Sequence, residues 1–169
     1  MSTHFQEFLR QRSGASDLKE RAHRRREWLG ALQSLFDKIR DWLSEAEQDD
    51  LLELVSYTTQ RVEERLGIYD APALKIRSGT DSIDVLPVGR YSIGPLRLQH
   101  LWLSPDNAGR WGDLSGGRVD ITDGERTYLL LRSIENGQDC WYAVGNNKSG
   151  VPTPFDRDHL EAILEDLLR

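Results

Sequence analysis

Four arginines stand within six residues, Arg21, Arg24, Arg25 and Arg26, with Lys19 and His23 beside them, and no other stretch of the 169-residue chain is as densely positive. Guanidinium groups grip carboxylates and phosphates through paired N–H donors, so this cluster has the chemistry to dock an acidic protein surface, a nucleotide or a nucleic-acid backbone. The plainest reading is a solvated helix face, partly neutralised by Glu20 and Glu27. An acidic protein partner comes next and nucleic acid last, because single-strand binders interleave aromatic residues with basic ones. Here Trp28 is the only aromatic close by, and its seven-residue spacing with Leu35 marks it as core.

A second candidate contact is Arg110 with Trp111, flanked by Gly109 and Gly112 in a Gly-, Asp- and Asn-rich loop from Ser104 to Gly117. Trp and Arg dominate the energetics of protein interfaces, so the pair suits an exposed anchor. The competing reading is a plug that closes one end of a sheet. Trp102 and Trp141 fall in apolar alternating segments and read as packing residues.

Catalytic patterns are weak. Asp81 with Asp84, and Asp120 with Asp123, are spaced for acid–base or metal work, but Arg118, Asp120 and Thr122 alternating with Val119 and Ile121 describe the wet face of a strand. The histidines, 4, 23, 100 and 159, stand at no metal-ligand spacing, His100 beside Trp102 being the one of most interest. Cys140 precedes Trp141 in a strand-like segment and reads as a small packing residue. Gly145 to Gly150 contains Lys148 and Ser149 but lacks the spacing and following helix of a phosphate loop. No metal, cofactor or catalytic set is expected.

The elements that must carry these residues follow from periodicity. Leu29, Leu32, Phe36, Ile39 and Leu43 step three, four, three, four, the narrow seam of a helix seeking a partner helix. Ser16 as N-cap and Asp17 in the first turn predict a helix over 17–44. Trp28, Leu35 and Trp42 widen the seam toward a second neighbour. Leu51, Leu54, Val55, Thr58, Val62 and Leu66, stopped by Gly67, predict a second helix and hence an antiparallel hairpin; a continuous helix through 44–50 is the alternative. From Ala71 on, short alternating segments (73–77, 83–88, 91–93, 96–103, 118–122, 127–133, 140–144) between Gly, Asp and Asn turns predict a meander of five to seven strands. The firmest turns are Asp123-Gly124 and Asn136-Gly137. Leu160, Ile163, Leu164, Leu167 and Leu168 form the apolar stripe of a last helix.

The fold class expected is therefore α+β: over 1–15 a mobile arm, or a short helix held by Phe5, Phe8 and Leu9, then a helical hairpin or coiled coil over 16–67, and an antiparallel sheet with a closing helix over 71–169. Residues 1–40 hold nine Lys or Arg against five Asp or Glu, so a chain of net charge −6 is +4 there and −10 elsewhere. An acidic body argues against wholesale nucleic-acid binding. No apolar run approaches the ~20 residues that span a bilayer, and a lone cysteine suits a reducing cytoplasm. These features predict a cytoplasmic, non-enzymatic interaction module, an adaptor, regulatory subunit or assembly factor. Its partner would be a protein, or a second copy through the N-terminal helices. The alternatives are a nucleic-acid accessory protein and, third, an enzyme with an unrecognised site.

Overall fold

A computed structural model describes residues 3–13, 15–92, 114–145 and 151–169. Two helices, α1 (Thr3–Ser13) and α2 (Ala15–Gln48), precede seven strands: β1 (Glu53–Glu63), β2 (Gly67–Ser78), β3 (Asp81–Gly89), β4 (Arg118–Thr122), β5 (Thr127–Glu135), β6 (Gln138–Val144) and β7 (Thr153–Pro154). Helix α3 (Arg157–Leu167) ends the chain. The strands form one antiparallel sheet in sequence order, β1 to β7, each paired with its neighbour in the chain. The fold is α+β, with the closing helix where its apolar stripe required it.

The predicted helical hairpin is corrected. Residues expected to form its second helix are β1, paired residue for residue with β2 from Glu53↔Arg77 to Glu63↔Gly67. The physical reason lies in composition: Val55, Tyr57, Thr58, Thr59 and Val62 are β-branched or aromatic, and their stiff side chains favour a pleated surface over a helix. Val55, Tyr57, Thr59, Arg61 and Glu63 are partly buried while Ser56, Thr58, Gln60 and Val62 are exposed, a period of two. Gly67, read as a helix stop, instead takes φ +79° at the end of a tight β1–β2 turn.

Residues 44–48 prolong the first helix by one turn, and strand β1, not a second helix, follows. Helix α2 continues to Gln48 and ends in a Schellman motif: Leu51 N–H bonds to Ala46 O (3.0 Å), Asp50 N–H to Glu47 O (3.1 Å), and Asp50 occupies the left-handed region at φ +56°. At its start α2 begins at Ala15, two residues before the expected position, and residues 3–13 form a helix of their own.

The seam packs on the sheet. Trp28, Leu32, Leu35, Phe36, Ile39 and Leu43 share one buried cluster with Leu74, Ile76, Ile83, Val85, Val119, Ile121 and Leu130, joined by Leu160, Ile163, Leu164 and Leu167 of α3. Each such side chain removed from water stabilises the fold by about 1.5–3 kcal/mol before entropy is counted. Alternation along β5 explains its nearly continuous apolar run: Tyr128 and Leu130 face this cluster, Leu129 and Leu131 a smaller one with Leu114 and Val144. The β5–β6 hairpin turns through Asn136 (φ +52°) and Gly137 (φ +75°), as predicted, with Glu135 opposite Gln138. Asp156 caps α3, its carboxylate accepting from His159 N–H at 2.8 Å. Of the expected strand over 91–93, Tyr91 lies in a turn and Ser92 in irregular chain; residues 93–113, with the expected strand over 96–103, lie outside the described residues.

Strand β2 pairs with β3 only from Leu74 to Ser78, whereas its pairing with β1 extends to Gly67. The far half of the β1–β2 hairpin therefore leaves the sheet plane of pairing and is tied to α2 instead. Trp28 Nε1 donates to Tyr69 Oη at 3.1 Å, and Tyr69 donates to Glu63.

Candidate functional site

Helix α2 has two kinds of surface. From Trp28 onward one side is buried, but every residue from Asp17 to Arg21 is exposed, including Leu18 at 63%. Helix α1 touches this end of α2 and adds Phe5 and Phe8, stacked with ring centroids 6.5 Å apart, and Leu9, all nearly half exposed. Apolar side chains and arginines thus share one end of the molecule.

The arginine cluster divides by position. Arg25 donates to Leu66 O at 2.8 Å and so ties the β1–β2 turn to the helix. Arg24 bonds Glu20 one turn earlier (3.2 Å) and reaches Arg65 O at 3.5 Å. Arg21 and Arg26 are exposed on the helix surface. The bland reading of a salt-bridged face holds for Arg24, while Arg25 has a structural task that spacing alone did not reveal.

Sequence reasoning missed two features beside this cluster. The first is a guanidinium pair over an aromatic ring: Arg65, from the β1–β2 turn, and Arg90, just after β3, each sit 4.9 Å from the centroid of Tyr91. They carry the positive surface from α2 onto the sheet end.

The second is a buried charge network. Arg132 on β5 is 3% exposed, bonded to Glu27 of α2, to Asp139 of β6 (2.8 Å from Nε) and to Gly116 O (3.1 Å). Glu27 also takes Arg90 at 3.2 Å. Burial alone would raise the Glu27 pKa, but the hydrogen bond and charge of Arg132, then those of Arg90, hold it below the ordinary 4.5. Burial likewise works against the charged form of Arg132, and its two carboxylates reverse that, raising its pKa. The legible signal was parity, since Arg132 follows Tyr128 and Leu130 on the inward side of β5 and an inward arginine needs buried partners. Gly117 lets the chain pass beneath: its φ is +136°, and a Cβ there would overlap the ring of fully buried Trp28.

The seam residues Leu32, Phe36, Ile39 and Leu43 are buried within their own chain, Phe36 to 1% exposure, and Leu29 packs partly buried against the same core. Self-association through this seam is therefore corrected: the sheet occupies the face that a coiled coil would need. Arg110 and Trp111, with His100 and Trp102, lie outside the described residues.

The carboxylates Asp84 and Asp120 have partners of their own. Asp84 accepts from Tyr57 at 2.9 Å and pairs with Lys75 at 3.0 Å; burial, then this carboxylate, pushes the Tyr57 phenol up to about 12. Arg118 holds Asp120 through two bonds of 2.8 and 3.0 Å. Cys140 is partly buried, and a hydrogen bond to Glu135 followed by burial raises its thiol pKa, away from the nucleophilic thiolate. Among the described residues no three His, Cys, Asp or Glu side chains converge as a metal ion requires, and no helix is long and apolar enough to cross a membrane.

Compared with family models, curated proteins and solved structures, the chain finds no match.

Proposed function

We propose that this protein is a non-enzymatic docking module, an adaptor, regulatory subunit or assembly factor, that binds an acidic protein partner at the α1–α2 end. The observation that carries the reading is the exposure of Leu18, Arg21 and Arg26 on α2, with half-exposed Phe5 and Phe8 on the adjoining helix α1. Apolar anchors supply affinity, and the arginines supply orientation and choice of partner. Arg110 and Trp111 belong to the same proposal as a second contact. Two separate contacts on one chain would let it bridge partners with gain from effective concentration.

Nucleic acid ranks below this reading. Trp28, the aromatic closest in sequence to the cluster, is fully buried and offers no face to a base, and Tyr91 is already engaged by two guanidiniums.

The test compares affinity capture from the native host by the wild type and by a Leu18→Ser, Arg21→Glu, Arg26→Glu variant of equal stability. The proposal requires an acidic protein that the variant loses and that purified wild-type chain binds directly. An unchanged set of bound proteins overturns it. Salt-sensitive binding to RNA or DNA that the triple variant abolishes would favour the lower-ranked reading instead.

A further inference from the structure

The other end of α2 carries the opposite surface. Between Glu45 and Glu53 stand five carboxylates and no basic residue. Here the end of α2, the link that follows it, the last residues of β2 and helix α3 enclose an open groove of about 580 Å³. Its floor is apolar, with Leu52, Leu164 and Leu168, and its rim carries Glu45, Asp49 and Glu165. Leu51, 68% exposed, lines the groove too, held in place by the Schellman stop that fixes its backbone. Arg157 is the one basic residue of the lining, and it is paired with Glu161 at 3.0 Å and lies 3.9 Å from Glu45. The net field over the apolar floor is therefore negative.

An occupant of this groove must offer apolar side chains framed by positive charge, and the same chain displays that combination at the opposite end of its 34-residue helix, about 40 Å away. We infer that the groove receives the α1–α2 end of a second copy, Phe5, Phe8 and Leu18 meeting its leucines and Arg21 and Arg26 meeting Glu45, Asp49 and Glu165. This rests on the reading of the α1–α2 end as a docking surface and names its acidic partner. The mode is that of an amphipathic helix in a groove. Because the two surfaces differ, the contact is heterologous: it closes as a reciprocal antiparallel pair or grows as a chain, and in neither case does it use the buried seam.

Two variants with substitutions only at exposed positions separate the surfaces: Leu18→Glu with Arg21→Glu at the basic end, and Leu51→Lys with Glu165→Lys at the groove. Sedimentation equilibrium of the full chain at low salt should show a weight-average mass that rises with concentration and falls back as salt screens the contact. Each variant alone should associate about tenfold more weakly or worse. Mixing the two should restore association, since the intact groove of one variant can receive the intact basic end of the other; in a reciprocal pair the two altered faces then meet with opposite charges.

A wild-type chain that stays monomeric at its highest soluble concentration overturns the inference, as does a mixture that stays monomeric while wild type assembles. If the basic-end variant nevertheless loses a captured acidic protein, the docking reading survives and only its assignment to a second copy fails. If that variant changes neither self-association nor capture, both fail together.

Discussion

The two halves of α2 carry similar numbers of large side chains to opposite ends. From Trp28 to Leu43 the apolar residues are wide enough in angle to lie on a twisted sheet, and Phe36 and Ile39 are shut from water. From Ser16 to Arg26 only Leu18 and Ala22 interrupt a polar sequence, and the helix there is tied to the β1–β2 turn by the Arg25 bond. A helix this long is thus not one functional unit. Its second half is fold and its first half is surface, and the boundary is where Glu27 turns inward to Arg132 while its neighbour Arg26 stays in water.

The contrast breaks most severely at Phe36. Phe36→Ala should cost about 3–5 kcal/mol, measured by denaturant unfolding, because the site is closed on all sides and a cavity remains. A loss below 1 kcal/mol would mean the seam is not core. At the boundary, Arg132→Met should cost about 3 kcal/mol, as it removes the cation that Glu27 and Asp139 share and leaves Glu27 with Arg90 alone.

The same junction sets a pH dependence. Glu27 has its pKa lowered on folding, so its contribution is fully present above the unfolded value near 4.5 and is lost as pH falls through the lower folded value. Stability measured from pH 6 downward should show that acid-side loss, and Glu27→Gln should flatten it. A smaller effect of opposite sign is expected at the end of the helix. Asp50→Gly should gain about 0.5–1 kcal/mol, since glycine accepts the left-handed conformation that aspartate holds at φ +56°. The smallest effect marks the exposed half: Leu18→Ser with Arg21→Glu should leave stability within about 0.5 kcal/mol while altering association. A large destabilisation there would erase the distinction between the halves.

Much of the architecture was legible in local chemistry. Asn136-Gly137 between two apolar runs demanded a tight hairpin, and the spacing of Leu160, Ile163, Leu164 and Leu167 demanded a helix with one wet side. The error over 51–66 arose because leucines and valines happened to recur at three and four, while the β-branched residues between them carried the stronger preference. Of the candidate contacts, the exposure of Arg21 and Arg26 was legible as a solvated face. The tasks of Arg25 and Arg132 were not, since their partners Leu66 and Glu27 lie 41 and 105 positions away.

By itself the sequence determined which residues had to leave water, where the chain had to turn, and that positive charge gathers near one end of a largely acidic chain. These follow from side-chain chemistry and near-neighbour spacing, which any segment carries with it. Only the tertiary structure decided what met the seam, which arginines became braces and which stayed in solvent, and that an acidic apolar groove stands opposite the basic end. Those outcomes depend on pairing between distant segments, where strand register and helix length, rather than local preference, bring groups within reach.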